Sequence, residues 1–179
     1  MKTNRFLWVF SLLFILGISG GCKRLSHPGN NPDTSGASGH VKLTVDGSLV
    51  FDKTANAEDG ELVIIRNSDH ALVFSFNGAQ GKVLLGGVIS NVPDPGGSHI
   101  VTSNVQSDDE SGVALNNETG EIIAPDGWPL KDMMALSGSI SRPQAKKVIV
   151  EGRMEELTDI MNIHYYNFRL EIDVARIIP

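Results

Sequence analysis

Tyr166-Asn167-Phe168-Arg169-Leu170-Glu171-Ile172-Asp173-Val174 alternates apolar and polar residues across nine positions without a break. Side chains on a β-strand point to opposite faces in turn, so this stretch predicts a strand with one buried and one wet face. Upstream, Val148, Val150, Gly152 and Met154 share a face opposite Lys147, Ile149, Glu151 and Arg153. Val41, Leu43 and Val45 alternate with Lys42 and Thr44 before Asp46-Gly47, a pair that tolerates the positive φ angles of a tight hairpin turn; Leu49-Val50-Phe51 then answers.

Between these segments, short apolar runs recur and are cut by turn residues. Glu61 to Arg66 and Ala71 to Phe76 flank Asn67-Ser68-Asp69-His70. Lys82 to Val92 carries Gly86-Gly87, and glycine inside a strand predicts a bend there. Pro93 to Ser98 is a forced loop, because proline cannot donate to a ladder. A brief run at His99 to Thr102 precedes a polar, acidic stretch from Ser103 to Gly112, read as exposed. Val113-Ala114-Leu115 and Glu121 to Ala124 bracket a hairpin signal at Asn116 to Gly120, and Met133 to Ser141 places Leu136, Gly138 and Ile140 on one face. Leu157, Ile160 and Met161 stand at i, i+3 and i+4, which fits one short helix or a connection with a buried apolar edge. The expectation is an all-β fold: an antiparallel β-sandwich or flattened barrel of about 8–10 short strands. With a single cysteine there is no pair to straddle a tryptophan, so the immunoglobulin signature is missing.

The amino terminus has a different character. Lys2 and Arg5 precede the apolar run Phe6 to Ile18, whose 13 residues are short of the roughly 20 that a permanent span needs. Small residues Ser19, Gly20 and Gly21 follow, then Cys22, the sole cysteine. A basic start, a short apolar core and a small-residue site describe a secretory signal peptide over residues 1–21. Together with Cys22 the segment resembles a bacterial lipoprotein precursor. That resemblance implies that Cys22 is acylated, with chains such as palmitate, and becomes the first residue of the mature chain. Ser19 stands where the lipoprotein motif carries Leu, and the same small residues suit ordinary signal peptidase, which would release a soluble chain with a free thiol. A free thiol is a liability in an oxidising compartment, and lipidation removes it.

Residues 22–39 are rich in Gly, Ser, Asn and Pro, and read as a lipidated flexible tether leading into one domain over residues 40–179. Two or more acyl chains make attachment stable, and Lys23 and Arg24 add attraction to anionic headgroups. Lys23, rather than Asp, follows the cysteine, which by analogy points to the outer membrane. The layout of the body resembles the small β-rich lipoproteins of Bacteroidota, a likeness of architecture that carries no site residues.

The net charge of -6 offers no basic face for nucleic acid. Its distribution is uneven: residues 46 to 126 hold 13 acids and 3 bases, whereas residues 131 to 179 hold 7 of each. No nucleotide-binding, hydrolase-elbow or zinc motif occurs, and no cofactor is implied. Histidines 27, 40, 70, 99 and 164 are scattered, mostly at turns or strand ends. Ser98 and His99 are adjacent, so on a strand they face opposite ways. Asp108-Asp109-Glu110 is contiguous, unlike the alternate spacing of EF-hand calcium loops, and reads as a solvated loop rather than a metal site. Trp128, between Gly127 and Pro129, and Tyr165, on the polar face of the last strand, are the candidate ligand contacts, offering stacking surfaces for a sugar or peptide. No catalytic set converges by motif. The reading is a membrane-tethered, non-enzymatic binding or assembly module with an envelope protein or glycan as partner. The alternative is an envelope-polymer hydrolase, which would need distant residues such as Asp126 and His99 to meet.

Overall fold

The computed structural model describes residues 38–159 and 161–178. The signal segment, Cys22 and the tether up to residue 37 lie outside the described residues. The fold is all-β: a curled sheet shaped as a half-barrel, consistent with a sandwich or flattened barrel. Its strands are β1 (Gly39–Val45), β2 (Ser48–Thr54), β3 (Leu62–Arg66), β4 (Ala71–Asn77), β5 (Val83–Ile89), β6 (Ser98–Thr102), β7 (Glu110–Ser111), β8 (Val113–Asn116), β9 (Asp132–Gln144), β10 (Lys147–Glu156), β11 (His164–Val174) and β12 (Arg176–Ile178). Hydrogen-bonded neighbours run β12-β3-β4-β5-β8-β9-β10-β11-β1-β2, while β6 joins β9 and β7 joins β6. Pairing is antiparallel except at β12–β3 and β6–β7, which are short parallel contacts.

The stretch that predicts the fold is central to it. β11 lies between β10 and β1, and Tyr166, Phe168, Leu170, Ile172 and Val174 are all buried. Val41, Leu43 and Val45 of β1 and Val148, Val150 and Met154 of β10 complete that wall of the core. The β1–β2 hairpin turns on Asp46 and Gly47, both at positive φ as the sequence requires. Strand β1 begins at Gly39, one residue before the expected boundary, and Ser38 accepts the Ala175 N–H at 2.8 Å.

Four local expectations need correction. Gly86-Gly87 is regularly paired and the irregularity in β5 falls earlier, at Leu84; a Cβ at Gly87 would lie 2.4 Å from the Phe74 ring, so the glycine makes room for an aromatic side chain. Glu121 to Ala124 is not a strand paired with Val113 to Leu115. Strand β8 pairs with β5 and β9 instead, and only Ile123 makes a bridge, to Pro129. Leu136 does not share a core face with Ile140: a bulge opposite Arg153 and Met154 switches the buried face of β9 from Met133 and Ala135 to Ile140 and Arg142. Glu155 and Glu156 end β10 and no helix follows in the described residues; the 3-10 turns fall instead at Ala57–Asp59 and Ala79–Gly81. The acidic Ser103 to Gly112 stretch is largely exposed, but its end forms β7 with Ser111 buried.

Candidate functional site

The loop between β8 and β9 is organised by a buried side chain. Asn117, fully enclosed, donates to the Leu130 carbonyl at 2.9 Å and accepts from Thr119 and Gly120 through its side-chain oxygen. Burying an amide costs free energy unless its donors and acceptors are met, and here they close the two ends of the loop on each other. Ile122, Ala124 and Leu130 anchor the loop in the core. Between these anchors, Asp126 accepts the Trp128 backbone N–H at 3.0 Å, and Gly127 adopts φ 88°, a left-handed conformation open to glycine. The Asp-Gly-Trp sequence is therefore a turn that projects the indole.

The indole meets the paired ends of β10 and β11. His164 and Tyr166, two residues apart on one face of β11, hold their rings 6.2 Å apart and nearly parallel. Trp128 stacks on His164 with centroids 4.2 Å apart and planes 16° apart. The Trp128 indole N–H donates to Glu156 at 3.2 Å, and the other oxygen of that buried carboxylate accepts the Thr158 amide at 3.1 Å. The Tyr166 hydroxyl donates to Asp126 at 3.0 Å, and His164 lies 3.5 Å from the same carboxylate. Half-buried Trp128 and His164 form an aromatic ledge backed by the buried Tyr166 ring, and two carboxylates fix its edges.

Electrostatics follow from these bonds. Donation from the Trp128 amide, aided by Tyr166 and His164, holds the Asp126 carboxyl below the usual carboxylate range despite some desolvation. Burial, then the bond to Asp126, pushes the Tyr166 hydroxyl well above its ordinary value. Asp126 is thus kept as an acceptor and Tyr166 as a donor.

The structure separates residues that the sequence grouped. Tyr165 points to the opposite face of β11 from Tyr166; it is 46% exposed, and the Arg153 guanidinium stands 4.6 Å from its ring centroid. Trp128 and Tyr165 therefore belong to different surfaces. His99 does not meet Asp126: its ring bonds the Asn91 carbonyl at 2.9 Å, while Asp126 is taken by His164 and Tyr166. Glu110 accepts the Gln106 amide at 2.7 Å, so that carboxylate is spent within its own loop. Among the described residues no three side chains of His, Cys, Asp or Glu converge as a metal site, and no helix is long and apolar enough to cross a membrane.

The sequence singled out Trp128 and, for the hydrolase reading, Asp126, but did not bring them together with each other or with His164 and Glu156. His164, Glu156 and Asp126 reach the indole through strand register and a loop closed by Asn117, and spacing along the chain does not reveal that. One local signal existed: an Asp two residues before an amide it can cap, followed by Gly, marks the turn that presents Trp128. Fold and site together define a curled β-sheet domain with an aromatic ledge at one end of β9. No family model, curated protein or solved structure matches the chain.

Proposed function

We propose that the chain is a lipid-anchored lipoprotein of the cell envelope, attached through Cys22 to the outer membrane, whose β-domain binds a glycan or peptide partner without transforming it. The amino-terminal sequence supports the anchor: a basic start, a short apolar run and small residues lead directly to the only cysteine. The Trp128 ledge supports the binding role, and it carries the reading. Its rings are held by stacking and by bonds to Glu156 and Asp126, so ordering entropy has been met before a ligand arrives. Aromatic faces suit the C–H faces of a sugar or the planes of a peptide, and the ionised Asp126 offers acceptors to hydroxyl or N–H groups.

A hydrolase acting on envelope polymers is the second reading, favoured by the approach of His164 to Asp126 at 3.5 Å. It carries less weight. A general acid needs a proton to give near working pH, and Asp126 is held in the charged form by its neighbours.

Two measurements test the proposal. Mass spectrometry of the membrane fraction finds an acylated Cys22 at the new terminus, and Cys22→Ala releases the protein or leaves it unprocessed; an unmodified thiol on a soluble chain overturns the anchor. Of the 2 tryptophans, Trp8 leaves with the signal peptide, so emission of the processed chain reports Trp128 alone. Titration with cell-wall glycan and peptide fragments shifts that emission, and Trp128→Ala weakens binding by roughly tenfold or more. Accumulation of shortened fragments in the same mixtures would favour the hydrolase.

A further inference from the structure

Arg142 lies toward the other end of β9 from the ledge, roughly 30 Å along the strand from Asp132 at about 3.3 Å per residue. Its backbone is laced to the Pro93 to Ser98 loop: the Gly96 N–H donates to the Arg142 carbonyl at 2.7 Å, and the Arg142 N–H to that of Gly97 at 3.1 Å. The residue is only 4% exposed. Nε and Nη2 donate to the Ala145 carbonyl at 3.1 and 2.7 Å, and Nη1 donates to the Pro93 carbonyl at 3.2 Å. Every one of these acceptors is neutral. A guanidinium has five N–H groups, so one on Nη1 and one on Nη2 remain beyond these three bonds. None of the ion pairs among the described residues includes Arg142. A buried arginine is ordinarily matched by a carboxylate, because a lone charge out of water is costly.

Arg142 lines a cleft of about 330 Å³ where β12 meets β3, a size suited to a small ligand. Ile65, Val92 and Ile177 give it apolar walls, and His70 and Asp94 add polar groups. Asp94 is exposed and so stands at the rim, whereas Arg142 is at depth.

We propose that this cleft binds a ligand carboxylate-first, with one carboxylate on the terminal nitrogens of Arg142 and an apolar body against Ile65, Val92 and Ile177. A carboxylate fits better than a phosphate for two reasons. Its single charge matches a single guanidinium, and Asp94 at the rim repels a dianion. The carboxylate has two possible sources: a simple aliphatic acid, or an amino acid whose ammonium meets Asp94. This site stands apart from the Trp128 ledge and does not rest on the binding role proposed for it.

The test uses the full chain, ¹⁵N-labelled in detergent micelles and titrated to millimolar sodium 4-methylpentanoate, L-leucine, 4-methylpentanol or inorganic phosphate. Backbone amides of residues 65–67, 92, 94, 96, 97, 142, 144 and 145 shift with one or both carboxylates, and not with the alcohol or phosphate. Arg142→Lys keeps the charge and loses the fork, and binding weakens at least roughly tenfold. Asp94→Asn weakens leucine and spares 4-methylpentanoate if the source is an amino acid; binding of 4-methylpentanoate alone identifies a simple acid. The proposal is overturned if neither carboxylate moves those amides, if the alcohol binds as well as the acid, or if folded Arg142→Lys binds unchanged. The acid-against-alcohol comparison on the unaltered chain decides the matter even where Arg142→Lys fails to fold. Trp128→Ala leaves this binding intact, so failure at the ledge and failure here are separable.

Discussion

The Asp126 carboxylate accepts from the Trp128 amide and the Tyr166 hydroxyl, and both bonds are stronger while it is charged. Its folded pKa therefore lies below the unfolded value. Such a group contributes stability that is complete above the unfolded pKa, near 3.9, and is lost as the pH falls through the folded value. The side chain is 48% exposed, so solvent screens the contribution, which stays within about 1 kcal/mol. Asp126→Asn is accordingly expected to lower the urea midpoint slightly at pH 7, with the deficit shrinking progressively as the pH falls below about 3.9. Midpoints measured across this range check it, and a gap that widens in acid would contradict the assigned sign. Glu171 and Asp159 act in the same direction, Glu171 chiefly through the bond from Arg169 and Asp159 through that from Asn162. The acid limb of the stability curve is therefore shared, and no one substitution abolishes it.

Strand β11 offers the sharpest contrast between neighbouring positions. Leu170 is fully buried between β10 and β1, whereas Arg169 lies on the outer face, paired with Glu151 at 2.5 Å and Glu171 at 3.0 Å. Leu170→Ala removes buried methylenes and leaves a cavity, at a cost of about 2–5 kcal/mol. Arg169→Ala removes solvent-exposed pairs and costs about 1 kcal/mol or less. Denaturant midpoints of the two variants check this, and equal losses would contradict the register. This strand was legible in the sequence because its alternation is unbroken and one face is wet. Strand β9 was legible as a strand, but its core face was not, because that face changes parity at the bulge near Leu136, where Gly138 and Gly152 come together. A Cβ on Gly152 would stand 2.0 Å from the Ser137 carbonyl, a contact between distant residues that no local pattern announces. Glu121 to Ala124 misled for the opposite reason: Ile122 and Ala124 alternate like a strand, yet they are buried as anchors of a loop closed by Asn117. The same limit applies to the ledge. Trp128 was conspicuous between Gly127 and Pro129, but His164 and Glu156 join it only through the pairing of β10 with β11.

At the scale of the molecule, a single junction shows how the sheet curls. Strands β11 and β12 are separated by Ala175 alone, yet β12 ends the ladder beside β3 while β11 stands between β10 and β1. One residue advances the chain by at most about 3.6 Å, so the sheet must bend until β3 comes alongside that junction. The β12–β3 pairing, Arg176 to Ile64 through Ile178 to Arg66, is the seam. Without it, β3 would be an edge, and its sequence Leu62-Val63-Ile64-Ile65 is the apolar, β-branched kind that recruits other chains. Ile177 also packs against the core and walls the Arg142 cleft, so the seam serves the proposed carboxylate site as well. A chain shortened to end at Ala175 is therefore expected to lose about 2 kcal/mol or more, from ladder bonds and the packing of Ile177. It should also self-associate, with hydrogen exchange fastest in β3 before association and slowed there afterwards. Denaturant melts, light scattering and exchange mass spectrometry read the three effects. A shortened chain that stays monomeric with unchanged stability would show that the barrel wall holds without its last strand.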